Sequence, residues 1–389
     1  MTTFDSTLPL SLYIHFPWCV KKCPYCDFNS HTLKGSLPEQ EYIDILLQHL
    51  TQLLPFTFER PLSSIFMGGG TPSLFSPQAF KRLLEGIKER CQLVPEIEIT
   101  LEANPGTVDG DRFKGYFDIG INRLSLGIQS FHDKHLLTLG RIHNSAEAKK
   151  AIAAVKAAGF TNFNCDLMFG LPLQTPEEGL ADLTQAIECE PTHLSWYELT
   201  IEPNTFFWHH PPPLPEDDSL AALQEHGQAL LTRHGYLQYE ISAYSKNLPC
   251  QHNLNYWQFG DYLAIGAGAH AKITHIHQQQ VIRYHCLRHP KQYMESNHAF
   301  FQQQNIPSDQ LAFEFCLNAL RLTAGVPTIT FSKRTGQPLS TILPPLTQAK
   351  EMGLLLPFDH QLCATPHGFR FLNDLTGLFL PNYAYSDPI

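Results

Sequence analysis

Between residues 11 and 199, six short apolar runs with strand character alternate with amphipathic helical stretches. Strands are expected at 11–16, 63–68, 96–103, 122–130, 162–170 and 193–199. Helices are expected at 39–54, 77–90, 109–118, 145–158 and 176–189. Pro77 after Ser76 suits a first helical turn, and Gly159 stops an alanine-rich helix. Strand–helix repetition of this kind builds a parallel sheet covered by its own crossovers. The fold class is therefore α/β, a partial or full (β/α) barrel. A Pro-rich loop at 202–218, with its paired His209 and His210 expected in solvent, leads to a helix at 218–234. A new pattern begins near residue 307: helices at 308–322 and 345–353, turn signals at Gly325–Pro327 and short strands. It reads as a small separate C-terminal domain. The expected organisation is a core barrel at 1–240, a connecting region at 241–300 and the C-terminal domain at 301–389.

In such barrels the chemistry sits at the C-terminal ends of the strands. The distinctive motifs of this chain fall there: CVKKCPYC after the first strand, GGGTP after the second, EANP at the third, GIQSF at the fourth and Asp166–Pro172 at the fifth. Cys19, Cys23 and Cys26 occupy one tight loop, so three thiolates can each take a different iron of a 4Fe–4S cubane. The fourth iron is then open to the amino and carboxylate groups of S-adenosylmethionine (SAM). One electron passed to the sulfonium breaks a C–S bond and releases a 5′-deoxyadenosyl radical. Zinc is the competing reading, with His15, Asp27 or His31 as a fourth ligand, but no second Cys/His pair follows. Gly69 and Gly70 allow backbone to approach a ligand closely and could offer amides or carbonyls to an ammonium. Glu102, Gln129, Arg141 and Asp166 supply acceptors for an ammonium, a cation for a carboxylate and partners for ribose hydroxyls. For any one of them in isolation, a rim salt bridge or a helix cap would be the preferred reading.

Composition narrows the partners. Lys+Arg total 27 against 37 Asp+Glu, a formal charge of −10. That balance opposes a broad nucleic-acid surface or a polybasic membrane anchor. The amino terminus lacks a basic, apolar export signal, and no apolar run could span a bilayer, so a cytoplasmic protein is expected. Peripheral membrane contact and a homodimer are left open. The other seven of the ten cysteines are scattered and read as small buried hydrophobes.

YIHFPWCVKKCPYCDF, MGGGTPS, LEANP, GIQSF, GRIH and DLMFGLP, in this order, resemble the oxygen-independent coproporphyrinogen III dehydrogenase family of radical SAM proteins. The resemblance is specific from residue 10 to about 172 and continues weakly through GAGAH (266–270). It implies SAM contacts from Tyr13, Gly69, Gly70, Thr71, Glu102, Gln129, Arg141 and Asp166. It also implies a partial (β/α) barrel with a winged-helix-like C-terminal domain. Two departures bear on the activity. Phe28 stands where the porphyrinogen-oxidising members carry a further cysteine, and their long amino-terminal segment is missing. In their place His252, Asn253, Tyr256 and Trp257 form the HNxxYW signature that resembles the heme chaperone branch of the family. His252 is a candidate axial ligand for heme, and the two aromatics offer flat faces; a satisfied core histidine beside packed aromatics is the plainer reading. The leading expectation is a chaperone that delivers heme to acceptor proteins, with the respiratory chain as the destination, and that needs a reductant for its cluster. Oxidative decarboxylation of coproporphyrinogen III is the alternative. A nucleic-acid-modifying radical enzyme is a third reading, opposed by the charge.

Overall fold

The computed structural model describes Phe4 and residues 7–246 and 249–381; the outermost ends of the first and last expected segments lie outside the described residues. The alternation expected from periodicity is present. Strands β1 (Leu10–Phe16), β2 (Leu62–Gly69), β3 (Leu93–Ala103), β4 (Arg123–Gln129), β5 (Phe163–Phe169) and β6 (His193–Glu198) pair side by side in sequence order, all parallel. Helices α1 (Glu39–Leu53), α2 (Pro77–Arg90), α3 (Gly110–Asp118), α4 (Ser145–Ala157) and α5 (Pro176–Glu188) make the crossovers, and α6 (Asp217–Arg233) follows β6. Their starts are chemically marked. Ser76, Asn144 and Thr175 accept amides from the first turns of α2, α4 and α5, and the last two close capping boxes with Glu147 and Glu178.

The stretch expected as a connector, 241–300, contributes strands to the same sheet. After β7 (Leu237–Gln238) come β8 (Ala243–Ser245), β9 (Asp261–Ile265), β10 (His270–His275), β11 (Gln280–Cys286) and β12 (Phe301–Asn305). The 12-stranded order is β12-β11-β10-β9-β1-β2-β3-β4-β5-β6-β8-β7, so the sheet stays open and the barrel is partial. β9 lies parallel to β1, pairing Leu10 with Asp261 and Ile14 with Ile265. A short helix between β8 and β9, α7 (Gln251–Trp257), carries the HNxxYW residues.

Successive side chains of a strand face opposite sides. On the outer face Leu10, Leu12, Ile14, Leu124, Leu126, Cys165 and Leu167 pack against Tyr42, Leu46, Phe80, Leu83 and Ile152 of the helices in one continuous core. The inner face is polar. Ser11 meets Ser64 at 2.8 Å, and Asn164 donates to Ser125 and Ser195 at 2.8 and 3.0 Å. α7 joins this lining: Asn255 donates to Ser11 at 2.9 Å and to the Asp261 carbonyl at 2.8 Å.

The C-terminal residues form helices α8 (Leu311–Ala319), α9 (Ile329–Thr335) and α10 (Leu343–Glu351), and the antiparallel pair Val326–Pro327 and Gln361–Leu362. Their core of Phe315, Phe331, Leu346 and Leu375 also takes in Tyr239, Cys250 and Phe259, so this unit packs directly behind α7. Among the described residues no helix is long and apolar enough to cross a membrane.

Asp261, at the start of β9, is fully buried and accepts from Arg60, Lys272, the Thr274 amide and the Thr274 hydroxyl, each at 2.9 Å. Removing it would strand two buried cations. Asp261→Ala is expected to cost about 3–5 kcal/mol in urea denaturation, far more than an exposed pair such as Lys81–Glu85.

Candidate functional site

The cysteine loop is held at both ends. Trp18–Cys19 pairs with His31–Thr32, and the Leu33 amide donates to the Cys19 carbonyl at 2.9 Å. Between them the Cys26 amide closes a turn onto the Cys23 carbonyl at 3.2 Å. The GGGTP turn is stitched to the same segment: Gly70 donates to Phe16 and Thr71 to Trp18, both at 2.7 Å. Glycine is required here. Gly69 has φ +118°, and a Cβ on Gly70 would sit 2.6 Å from the Trp18 carbonyl oxygen. All three cysteines open onto one cleft of about 740 Å³ at the C-terminal ends of the strands. Among the described residues, the set of donors gathered within 4.8 Å of one another is Glu98, Cys250 and His252, and not these three. A single tetrahedral zinc would draw its sulfurs to about 3.8 Å apart. Three thiols of one short loop facing one cleft are the donor set that a cubane with an open corner takes.

Gly69, Gly70, Thr71, Glu102, Gln129, Arg141 and Asp166 line the same cleft. The amides of Gly69 and Gly70 are already committed, to the Glu102 carboxylate at 3.0 Å and to Phe16, which leaves their carbonyls to offer. Burial, with the nearby Asp166 charge, pushes the Glu102 carboxyl up to about 8. Asp166 is also raised by burial, against the hydrogen bonds from Ser195, Ser125 and Asn164. Two buried carboxyls pressed toward neutrality favour a cationic ligand group. Arg141 donates to the Gly127 carbonyl at 2.7 Å and points Nη1 at the Cys23 sulfur at 3.8 Å, while its Nε is buried without a partner. That leaves a donor for a carboxylate beside the cluster loop. Gln129 sits at a bulge with φ +70° and accepts from Tyr197 at 2.8 Å. Tyr13 is placed differently from the rest. Its hydroxyl meets His15 Nδ1 at 2.8 Å, and His15 Nε2 reaches the Asn29 carbonyl at 2.9 Å. Tyr13 is outside the cleft lining and bears on the loop through His15.

The HNxxYW residues divide between two faces of α7. Asn253 and Trp257 line the far part of the cleft, with Glu240, Ser242 and Arg321. His252 and Tyr256 turn into the core. The His252 ring lies 3.9 Å from that of Phe66, and its Nδ1 is 2.9 Å from Cys250 Sγ and 3.6 Å from Glu98. Burial lowers its pKa. The Glu98 carboxyl, which burial would raise, is brought down to about 2 by His252 and Arg123. Ser195, Tyr197, Glu240 and Arg321 went unremarked in the sequence. The alternation in HLSWYEL could have marked the first two, whereas nothing local marks Glu240 or Arg321. His209 and His210 are exposed, as expected. All ten cysteines are free.

The model of the radical SAM superfamily matches residues 13–185, and that of the HemN C-terminal domain matches 306–371. A heme chaperone HemW from Haemophilus influenzae is 52% identical over 96% of this chain and 98% of its own. The chain belongs to the HemW family. The HemW proteins of Escherichia coli and Bacillus subtilis are 49% and 31% identical, over 96% and 95% of this chain and 98% and 99% of theirs. The structure of HemN, the coproporphyrinogen III oxidase of Escherichia coli, superposes with a TM-score of 0.81 at 22% identity, over 97% of this chain and 91% of that one. This likeness establishes the fold. A radical SAM protein binds a 4Fe–4S cluster and SAM, and the loop cysteines and the strand-end set described above fit both.

Glu102 yields a prediction with a definite sign. A carboxyl raised in the folded state costs nothing below its unfolded pKa near 4.5, and its cost grows as pH rises toward about 8. Without added ligand, the stability of Glu102→Gln relative to the native chain is therefore expected to increase from pH 4.5 to 8, by up to about 5 kcal/mol. Chemical denaturation at the two pH values reads it.

Proposed function

We propose that this chain is a heme chaperone that holds heme in the cleft between the cysteine loop and Trp257 and passes it to acceptor proteins in the cytoplasm or at the respiratory chain. The full-length relation to HemW proteins carries this reading. The placement of the signature supports it: Asn253 and Trp257 line the cleft that also takes in the three cysteines. Trp257 offers a broad ring backed by Arg321, whose guanidinium lies 4.2 Å above it. The porphyrin contacts are assigned to Asn253 and Trp257 ahead of His252 and Tyr256, because the latter pair packs against Phe66 and Tyr262 inside the barrel.

The Cys19, Cys23 and Cys26 thiolates hold the cluster, which supplies one-electron chemistry toward SAM when both are bound. Gly69, Gly70, Thr71, Glu102, Gln129, Arg141 and Asp166 orient SAM, and Tyr13 supports the loop through His15. Cluster and SAM then control loading or release of heme. Phe28 is 57% exposed beside the loop, where a decarboxylating member would carry cysteine. With Val20, Leu137, Leu173, Phe206 and Trp208 it gives the strand-end loops several exposed apolar side chains on which an acceptor could dock.

The test is anaerobic assembly of the cluster, titration with hemin by absorbance, and transfer to an apo-acceptor. One heme per chain and SAM-sensitive transfer are expected. Trp257→Ala is expected to weaken heme binding about tenfold, the equivalent of about 1.4 kcal/mol, and to lose more than His252→Ala does. Turnover of coproporphyrinogen III without heme retention would replace the reading with the oxidative one.

A further inference from the structure

The floor of the barrel holds a group of side chains that neither the cluster nor the cleft uses. Glu98 stands on the inner face of β3, two residue pairs below Glu102. Cys250 and His252 reach it from the start of α7. Cys250 is 1% exposed and His252 6%. The three donor atoms form a small triangle: Cys250 Sγ to His252 Nδ1 is 2.9 Å, Cys250 Sγ to Glu98 Oε1 is 3.3 Å, and His252 Nδ1 to Glu98 Oε1 is 3.6 Å. Zinc held tetrahedrally by one sulfur, one nitrogen and one carboxylate oxygen sets ligand–ligand edges of about 3.4–3.6 Å. The two edges to Glu98 need shifts of only a few tenths of an ångström, and the sulfur–nitrogen edge must open by about 0.6 Å, which a small rotation of the Cys250 or His252 side chain supplies. The donor set is also chemically selective: thiolate and imidazole favour a borderline-soft divalent ion over magnesium or calcium.

The ligands are held in advance. Glu98 accepts the amides of Gln251 and His252 at 3.1 and 3.3 Å, so its carboxylate is fixed at the mouth of α7. Asn255 anchors the other side of that helix to Ser11. The ring of His252 is clamped against Phe66. Charge sets the condition for binding. Arg123, His193, Tyr239 and Tyr256 are polar groups around the triangle, and Arg123 opposes a second cation. The ion is therefore taken up by displacing the Cys250 thiol proton to solvent, so that thiolate and carboxylate together balance its two charges.

We propose that Glu98, Cys250 and His252 form a structural zinc site at the barrel floor, separate from the iron–sulfur loop. Its effect is to lock α7, and with it the cleft residues Asn253 and Trp257. The site does not depend on heme binding.

The experiment uses the full chain with its cluster assembled anaerobically, then exposed to zinc and dialysed. X-ray absorption at the zinc edge reads zinc without interference from iron. One zinc per chain is expected, with one sulfur and otherwise nitrogen or oxygen neighbours. Cys250→Ser is expected to bring retained zinc to background. Glu98→Gln keeps an oxygen for the α7 amides and so preserves the fold, yet is expected to bind zinc at least about tenfold more weakly. Absence of retained zinc in the native chain, a shell of several sulfurs reporting the loop cysteines, or retention unchanged in Glu98→Gln would each overturn the proposal. The native-chain spectrum decides the matter even where a variant fails to fold.

Discussion

Parallel pairing of β1 with two neighbours at once is the contact on which the remaining architecture depends. β2 lies on one side and β9 on the other, and their registers align His15 with Gly68 and Ile14 with Ile265. The ends of three strands distant in sequence therefore emerge together. The Tyr42 hydroxyl ties this junction, donating to the His15 carbonyl at 2.7 Å and accepting from the Ala267 amide at 3.0 Å. The cysteine loop leaves from β1, the GGGTP turn from β2 and the GAGAH turn from β9. Asn29, on the far flank of the cysteine loop, donates to the Ala267 and Arg288 carbonyls at 2.9 and 2.8 Å. The loop is thus fastened to backbone that the chain reaches only some 240 residues later.

The second constraint is the polar interior. A barrel lumen filled by branched apolar side chains would be a sealed core. Here the inner positions of β1 to β6 carry serine, asparagine, aspartate, glutamate, arginine and histidine, and burial makes each demand a partner. Ser11 bonds both Ser64 and the Asn255 amide nitrogen, and Ser125, Asn164, Asp166 and Ser195 form a second connected group. His193 spans Asn164 and Tyr239 at 2.8 Å each. α7 belongs to this scheme because it packs against β1, β2 and β9 and brings Asn255 to Ser11. The HNxxYW signature is consequently part barrel lining and part cleft wall.

Much of this was legible in the sequence. The six strands and their crossovers follow local periodicities of two and 3.6, and those survive folding because each strand has one face on the helices. Their ends agree with the structure to within a residue or two, save at β3, which begins three residues earlier. That Cys19, Cys23 and Cys26 share one cleft with Gly69, Gly70, Thr71, Glu102, Gln129, Arg141 and Asp166 was also legible, because a barrel delivers its strand ends and the loops after them to one face. Tyr13 was harder. The resemblance implies a SAM contact for it, but it lies three residues before the strand end at Phe16, where its hydroxyl reaches His15 and it does not line the cleft.

Sequence alone determined the α/β class, the crossover helices and the three-cysteine loop, since each is encoded within a few neighbouring residues. Tertiary structure decided the rest. β9 joins β1 because Asp261 finds Arg60 and Lys272, a choice made across some 200 residues and invisible to any local pattern. The faces of α7 were likewise decided by packing: a seven-residue helix makes barely two turns, too few to show which side is buried. Phe66 and Glu98 claimed His252, and the cleft received Trp257. The connector expected at 241–300 became sheet for the same reason. Short strands with mixed polarity reveal their partners only once the edge they complete exists.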